Sequence, residues 1–142
     1  MWEGCTPVLG AEPEPSLHEI TGWDIPGVGE VDVESRGYGL TVHPSDGSLH
    51  VELAFSGTYA ESETMPYRRL GPARLVLKGV RSLDTETPGA ADGTWWQRVL
   101  RGDSRDEILR MTWNQDEDVL HVREGGTLLS CTGGSWRWQL DT

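Results

Sequence analysis

Three groupings of residues have side chains that could do chemistry. His43 and His50 flank the stretch Pro44-Ser45-Asp46-Gly47, and Glu52 shares their strand parity. Two imidazoles and a carboxylate on one face could hold a divalent metal and leave a coordination position open. The alternative is a solvated polar face on a hairpin. The spacing lacks the close ligand pairs of a zinc site, so no metal is expected; His43, His50 and Glu52 are the only candidates. The second grouping is Thr112, His121, Ser130 and Arg137, which alternate with apolar residues in the last third of the chain. A serine beside a histidine could form a nucleophile and its base, but such a pair needs an orienting acid and oxyanion donors. The row supplies no acid. Cross-strand polar pairing on an exposed face, or part of a binding surface, is the expectation. The third grouping is "SLHEITGWDI", residues 16–25. Ser16 with Glu19 reads as a helix capping box, and His18 then ties the capped turn to the first strand.

Common signatures are missing. The sequence has no G-x-x-x-x-G-K-[ST], G-x-S-x-G, H-E-x-x-H or C-x-x-C, so no cofactor is expected. The formal charge is −11, from 23 acids and 12 bases, of which Lys78 is the only lysine. Nucleic acids and anionic membranes both recruit basic proteins, so neither is an expected partner. A basic protein is. The opening "MWEGCTPVLGAEPEPS" has no basic region and no apolar run, and nothing approaches a membrane span; the expected location is cytoplasmic. Cys5 and Cys131 are then expected as free thiols, with a single Cys5–Cys131 bridge as the alternative.

The elements that position these residues read mainly as strands. The chain is expected to be one domain over 1–142, with 1–16 an extended N-terminal arm. Leu109, Met111, Trp113, then Leu120, Val122, then Leu129, Cys131, then Trp136, Trp138, Leu140 alternate with polar residues. The joints are "QDED", "GG" and "TGGS", all turn chemistry. A four-residue loop at 115–118 and two-residue turns at Gly125-Gly126 and Gly133-Gly134 keep every apolar residue on one face. The prediction is a four-stranded antiparallel meander over about 107–140. An earlier hairpin turns at Pro44–Gly47, with His43 and His50 opposite in a two-residue loop and diagonal in the favoured four-residue one. Residues 30–35 and 73–80 read as further strands, and 58–72 and 84–93 as long loops. Thr94, Gln97 and Gly102 bracket a short helix over 95–101. The predicted fold is mainly β: a two-layer antiparallel domain, sandwich or strongly curved sheet, with one or two short helices.

"SLHEITGWDI" followed by paired strands, "LHVELAF" and "ARLVLKGVRSL" resembles a group of small bacterial β proteins that includes immunity proteins of polymorphic toxin systems. The matching residues are Leu17-His18-Glu19 with Ile20, and later Leu75, Leu77, Gly79 and Val80, over about 17–83. Glu19 stands where Asp is more usual, and Lys78 where an apolar residue is commoner. The resemblance implies binding and inhibition of one cognate toxin without catalysis.

Function is therefore expected to lie in binding. The candidate contact residues are the turn acids Asp116, Glu117 and Asp118, the acids Asp84 and Glu86, the adjacent Trp95 and Trp96, and Arg137. Trp95 and Trp96 cannot share one side of a short helix. Either one faces solvent, where it could bind a sugar or a protein, or both pack at the sheet edge. The leading expectation is a non-catalytic binding protein for a basic toxin domain. A small-molecule or carbohydrate-binding β module is the alternative, and an enzyme comes third.

Overall fold

The computed structural model describes residues 2–33, 37–61, 68–86, 109–124 and 127–140. Thirteen strands run through them: β1 (Thr6–Leu9), β2 (Leu17–Ile25), β3 (Gly29–Val33), β4 (Gly39–Ser45), β5 (Ser48–Phe55), β6 (Thr58–Glu61), β7 (Arg68–Arg69), β8 (Ala73–Val80), β9 (Ser82–Glu86), β10 (Arg110–Asn114), β11 (Val119–Glu124), β12 (Thr127–Thr132) and β13 (Ser135–Leu140). They form two antiparallel sheets. One has nine strands in the order β7-β6-β3-β2-β10-β11-β12-β9, with β1 also on β2; the other is β13-β8-β5-β4. No helix occurs among the described residues, so none is long and apolar enough to cross a membrane.

The core lies where the inner faces meet. The four-stranded sheet contributes Val51, Leu53, Phe55, Leu75, Leu77, Trp136 and Trp138, and the nine-stranded sheet Trp23, Met111, Leu120, Val122, Leu129 and Cys131. Five indoles interlock at the centre. Trp136 stands edge-on to Trp2 at 4.3 Å and to Trp113 at 6.0 Å, while Trp23 meets Trp138 at 4.9 Å. Edge-to-face contacts of this kind add about 0.5–1.5 kcal/mol each beyond the area they bury. Cys5 and Cys131 are separate, buried free thiols, as expected. Burial pushes the Cys131 thiol up to about 12.

Two irregularities let strands switch the parity of their inward residues. In β2 the register with β1 slips, so Val8 faces Gly22 while Leu9 faces Ile20. The extra residue, Thr21, is a bulge, and His18, Ile20, Trp23 and Ile25 all turn to the same side despite the odd spacing. In β8, Leu77 pairs with Val51 and Val80 with Leu49. Gly79 takes up the slack at φ +72°, where a Cβ would be strained.

The sequence expectations fare unevenly. The registers of β10 on β11 and β11 on β12 are as derived, with Trp113 opposite Leu120, Val122 opposite Leu129 and Leu120 opposite Cys131. The fourth meander strand is not there. β13 crosses to the other sheet, where Trp136 faces Leu77 and Trp138 faces Leu75, and β12 pairs instead with β9. Gly134 makes that crossing possible, since a Cβ there would lie 2.5 Å from the Lys78 carbonyl oxygen. Ser16 caps no helix. It sits at φ +68° ahead of a strand that contains Glu19. The supposed loop 58–72 contains β6 and β7, and 84–86 completes β9. The arm is not merely a lead-in either: β1 pairs with β2, and Trp2 bridges to Trp136. The hairpin turn is the two-residue Asp46-Gly47, both at positive φ, with Ser45 opposite Ser48. This is the primed geometry that matches strand twist. It leaves Pro44 inside the edge strand β4, two steps from the turn. There bonded and non-bonded pairs alternate, and its missing N–H faces away from β5. The expected helix at 95–101, the Gly125-Gly126 turn and residues 87–93 lie outside the described residues.

Candidate functional site

The most unusual arrangement is a row of like charges. The β2–β3 hairpin sets Asp24 directly opposite Glu30, and the β3–β6 pairing sets Glu30 directly opposite Glu61. All three carboxylates are exposed. Among the described residues none makes an ion pair, not even with Arg68 or Arg69 on the neighbouring β7. Asp32, two residues beyond Glu30 on the same face, accepts a hydrogen bond from the Tyr59 hydroxyl at 3.1 Å. Like charges facing each other across strands are destabilising. Three exposed carboxylates in line, with no ion pair among the described residues, present a run of negative charge to solvent.

The predicted turn acids form a second acidic region, at the β10–β11 end of the same sheet. The Ser16 hydroxyl donates to Asp116 at 2.7 Å, and the Ser16 amide to Glu12 at 3.1 Å. Asn114 accepts from the Glu117 amide at 3.0 Å, and the Asp118 carbonyl from the Gly133 amide at 2.8 Å. These bonds rigidify the turn and bring Glu12 to it. Asp116, Glu117 and Asp118 form no ion pair among the described residues. His18 lies within β2 opposite Trp113, its Nδ1 3.9 Å from Glu12; with no helix cap at Ser16 there is no capped turn for it to tie to the strand.

The remaining sequence candidates are dispersed. Asp84 and Glu86 lie on β9, the exposed last strand of the nine-stranded sheet. Arg137 is exposed on β13 in the other sheet, so it does not join the row with His121. Trp95 and Trp96 lie outside the described residues. His43 and His50 are directly opposite, not diagonal, with ring centroids 6.3 Å apart. Glu52 is drawn to His50 and to Arg74, at 3.7 Å each. No group of three or more His, Cys, Asp or Glu side chains among the described residues is placed to hold a metal ion.

The serine–histidine row changes character in three dimensions. Glu19, Thr112, His121, Ser130 and Asp84 succeed one another across β2, β10, β11, β12 and β9. His121 Nδ1 and Ser130 Oγ are 2.9 Å apart. The face is not solvated here, because Thr112 is 1% exposed and His121 6%. Burial lowers the His121 pKa to about 4, which makes the imidazole a feeble base at neutral pH. The acid the row had lacked, Asp84, faces Ser130 and not the far side of the imidazole, where Thr112 stands. An orienting acid must bond the second ring nitrogen, so the order is wrong for a relay.

The sequence carries no local signal that singles out Asp24 and Glu30, and Glu61 falls in a stretch that reads as loop. Had 17–25 been recognised as a strand, the short link through Pro26 and Gly27 would have aligned Asp24 with Glu30. Their alignment with Glu61 depends on a long-range pairing with no local signal. No protein-family model, curated protein or solved structure matches the chain.

Proposed function

We propose that this chain is a non-catalytic, cytoplasmic binding protein that recognises a basic protein through the acidic outer surface of its nine-stranded sheet. The resemblance to immunity proteins makes a toxin domain the partner of choice. The observation that carries the reading is the unneutralised Asp24–Glu30–Glu61 row. Opposed like charges work against stability, a cost that a cationic partner removes on binding. The rigid turn with Asp116, Glu117 and Asp118 extends the same field, which speeds encounter and rejects acidic partners. Asp84 and Glu86 on the exposed β9 belong to this surface, whereas Arg137, on the other sheet, does not.

The test first asks whether a toxin-like reading frame adjoins the gene for this chain, and uses the product of any such frame as the partner. Two variants, Asp24→Asn/Glu30→Gln/Glu61→Gln and Asp116→Asn/Glu117→Gln/Asp118→Asn, are compared with the parent. Both should associate more slowly, with a smaller change in dissociation, as rim charges do. The first should also be slightly more stable than the parent. Unchanged association rates in both would remove the acidic surface from the account. A second reading, a small-molecule binding module, is favoured by one separate observation, a cleft beside β2.

A further inference from the structure

The bulge at Thr21 opens a notch in the nine-stranded sheet. Ile20 pairs with both β1 and β10, and Trp23 with both β1 and β3. Since a strand has two edges, β10 and β3 lie end to end along the edge opposite β1. Between their pairings, Thr21 and Gly22 pair with none of the described residues on that edge. Beside the notch is a cleft of about 310 Å3, lined by residues 19–21 and 109–112. This is the low end of the size range for small-molecule sites.

Lining the cleft are three polar side chains with no hydrogen-bond or ion-pair partner among the described residues. Thr112 is 1% exposed and its hydroxyl has no hydrogen bond. Leaving such a group unsatisfied costs on the order of 1–3 kcal/mol. Glu19 and Arg110 are both half-buried on the face of Thr112, one directly opposite it and the other two residues before it. Neither is in an ion pair among the described residues. Ile20, Leu109 and Met111 supply apolar lining.

We infer that the cleft binds a small amphoteric molecule with the chemistry of a free aliphatic α-amino acid. Arg110 pairs with its carboxylate, Glu19 with its ammonium, and the Thr112 hydroxyl donates to a carboxylate oxygen. Leu109, only partly buried, packs on its side chain. A plain anion would face the Glu19 charge and a plain cation the Arg110 charge, so a ligand with both is selected. The small volume excludes an oligosaccharide. This site is independent of the acidic surface, and either can fail without the other.

The test is calorimetric titration with L-leucine and L-methionine. Isoamylamine and 4-methylpentanoate, which each keep one charge, serve as controls. The amino acids should bind, and each control should bind more weakly by on the order of tenfold. Arg110→Gln should erase the preference for leucine over isoamylamine, and Glu19→Gln the preference over 4-methylpentanoate. Thr112→Val should weaken leucine binding yet raise the melting temperature of the free protein, because it removes an unsatisfied buried hydroxyl. A merely structural threonine would give the second effect without the first. No heat with either amino acid at millimolar concentration, or controls that bind as well as leucine, would overturn the proposal without recourse to any variant.

Discussion

Lowering the pH should destabilise the fold through His121 before the carboxylates begin to titrate. The imidazole is buried on the outer side of β11, bonded to Ser130. Glu19 and Asp84 stand in its row beyond Thr112 and Ser130, and Arg123 is two residues along its own strand. Desolvation holds its pKa near about 4, against about 6.5 in an unfolded chain. The folded value is the lower one, so the unfolded state takes up the proton first. The contribution to stability is complete above the unfolded value and disappears as pH falls toward the folded value. Linkage across that gap amounts to about 3 kcal/mol in all, of which about 2 kcal/mol is lost between about pH 7.5 and about pH 5. Denaturant midpoints of the parent and of His121→Asn, measured across that range, isolate the effect, since every other titrating group is common to both. The variant should be less stable at pH 7.5 but should lack most of the parent's decline. Parallel pH profiles for the two proteins would refute the reasoning.

Two further predictions concern packing. Trp136→Ala and Trp138→Ala should each cost about 3–5 kcal/mol, because both indoles are buried in the aromatic lattice; Arg137→Ala between them should cost under about 0.5 kcal/mol, and chemical denaturation of the three variants checks the order. Gly134→Ala would drive a Cβ into the Lys78 carbonyl at φ +91°, so a loss of roughly 2–4 kcal/mol is expected in the same assay.

What the sequence discloses follows the range of the interaction. The registers among β10, β11 and β12 are readable because short turns carry the alternation from strand to strand. β13 escapes the same logic for a physical reason. Gly133 and Gly134 have the positive φ of a primed turn, and Trp136 and Trp138 face the core whichever sheet holds them. Alternation reports the buried face, not the neighbouring strand. In β2 the bulge at Thr21 breaks the period of two, while Ser16 and Glu19 imitate a helix cap, so a nine-residue strand was hidden. The acidic turn was visible as a composition run. The Asp24–Glu30–Glu61 row and the cleft by Thr112 were not, since both arise from pairings between distant segments.

The central claim is that a basic partner is drawn to the acidic outer surface of the nine-stranded sheet. The most direct measurement is the association rate with a basic toxin domain, taken from any toxin-like reading frame found beside the gene, across a salt series, by stopped flow. Steering by exposed charges is screened over about 8–10 Å at physiological ionic strength. The account predicts a rate that falls steeply from low to physiological salt, and a shallower fall when Asp24, Glu30 and Glu61 are neutralised. A rate indifferent to salt, or a complex that does not form, would contradict it.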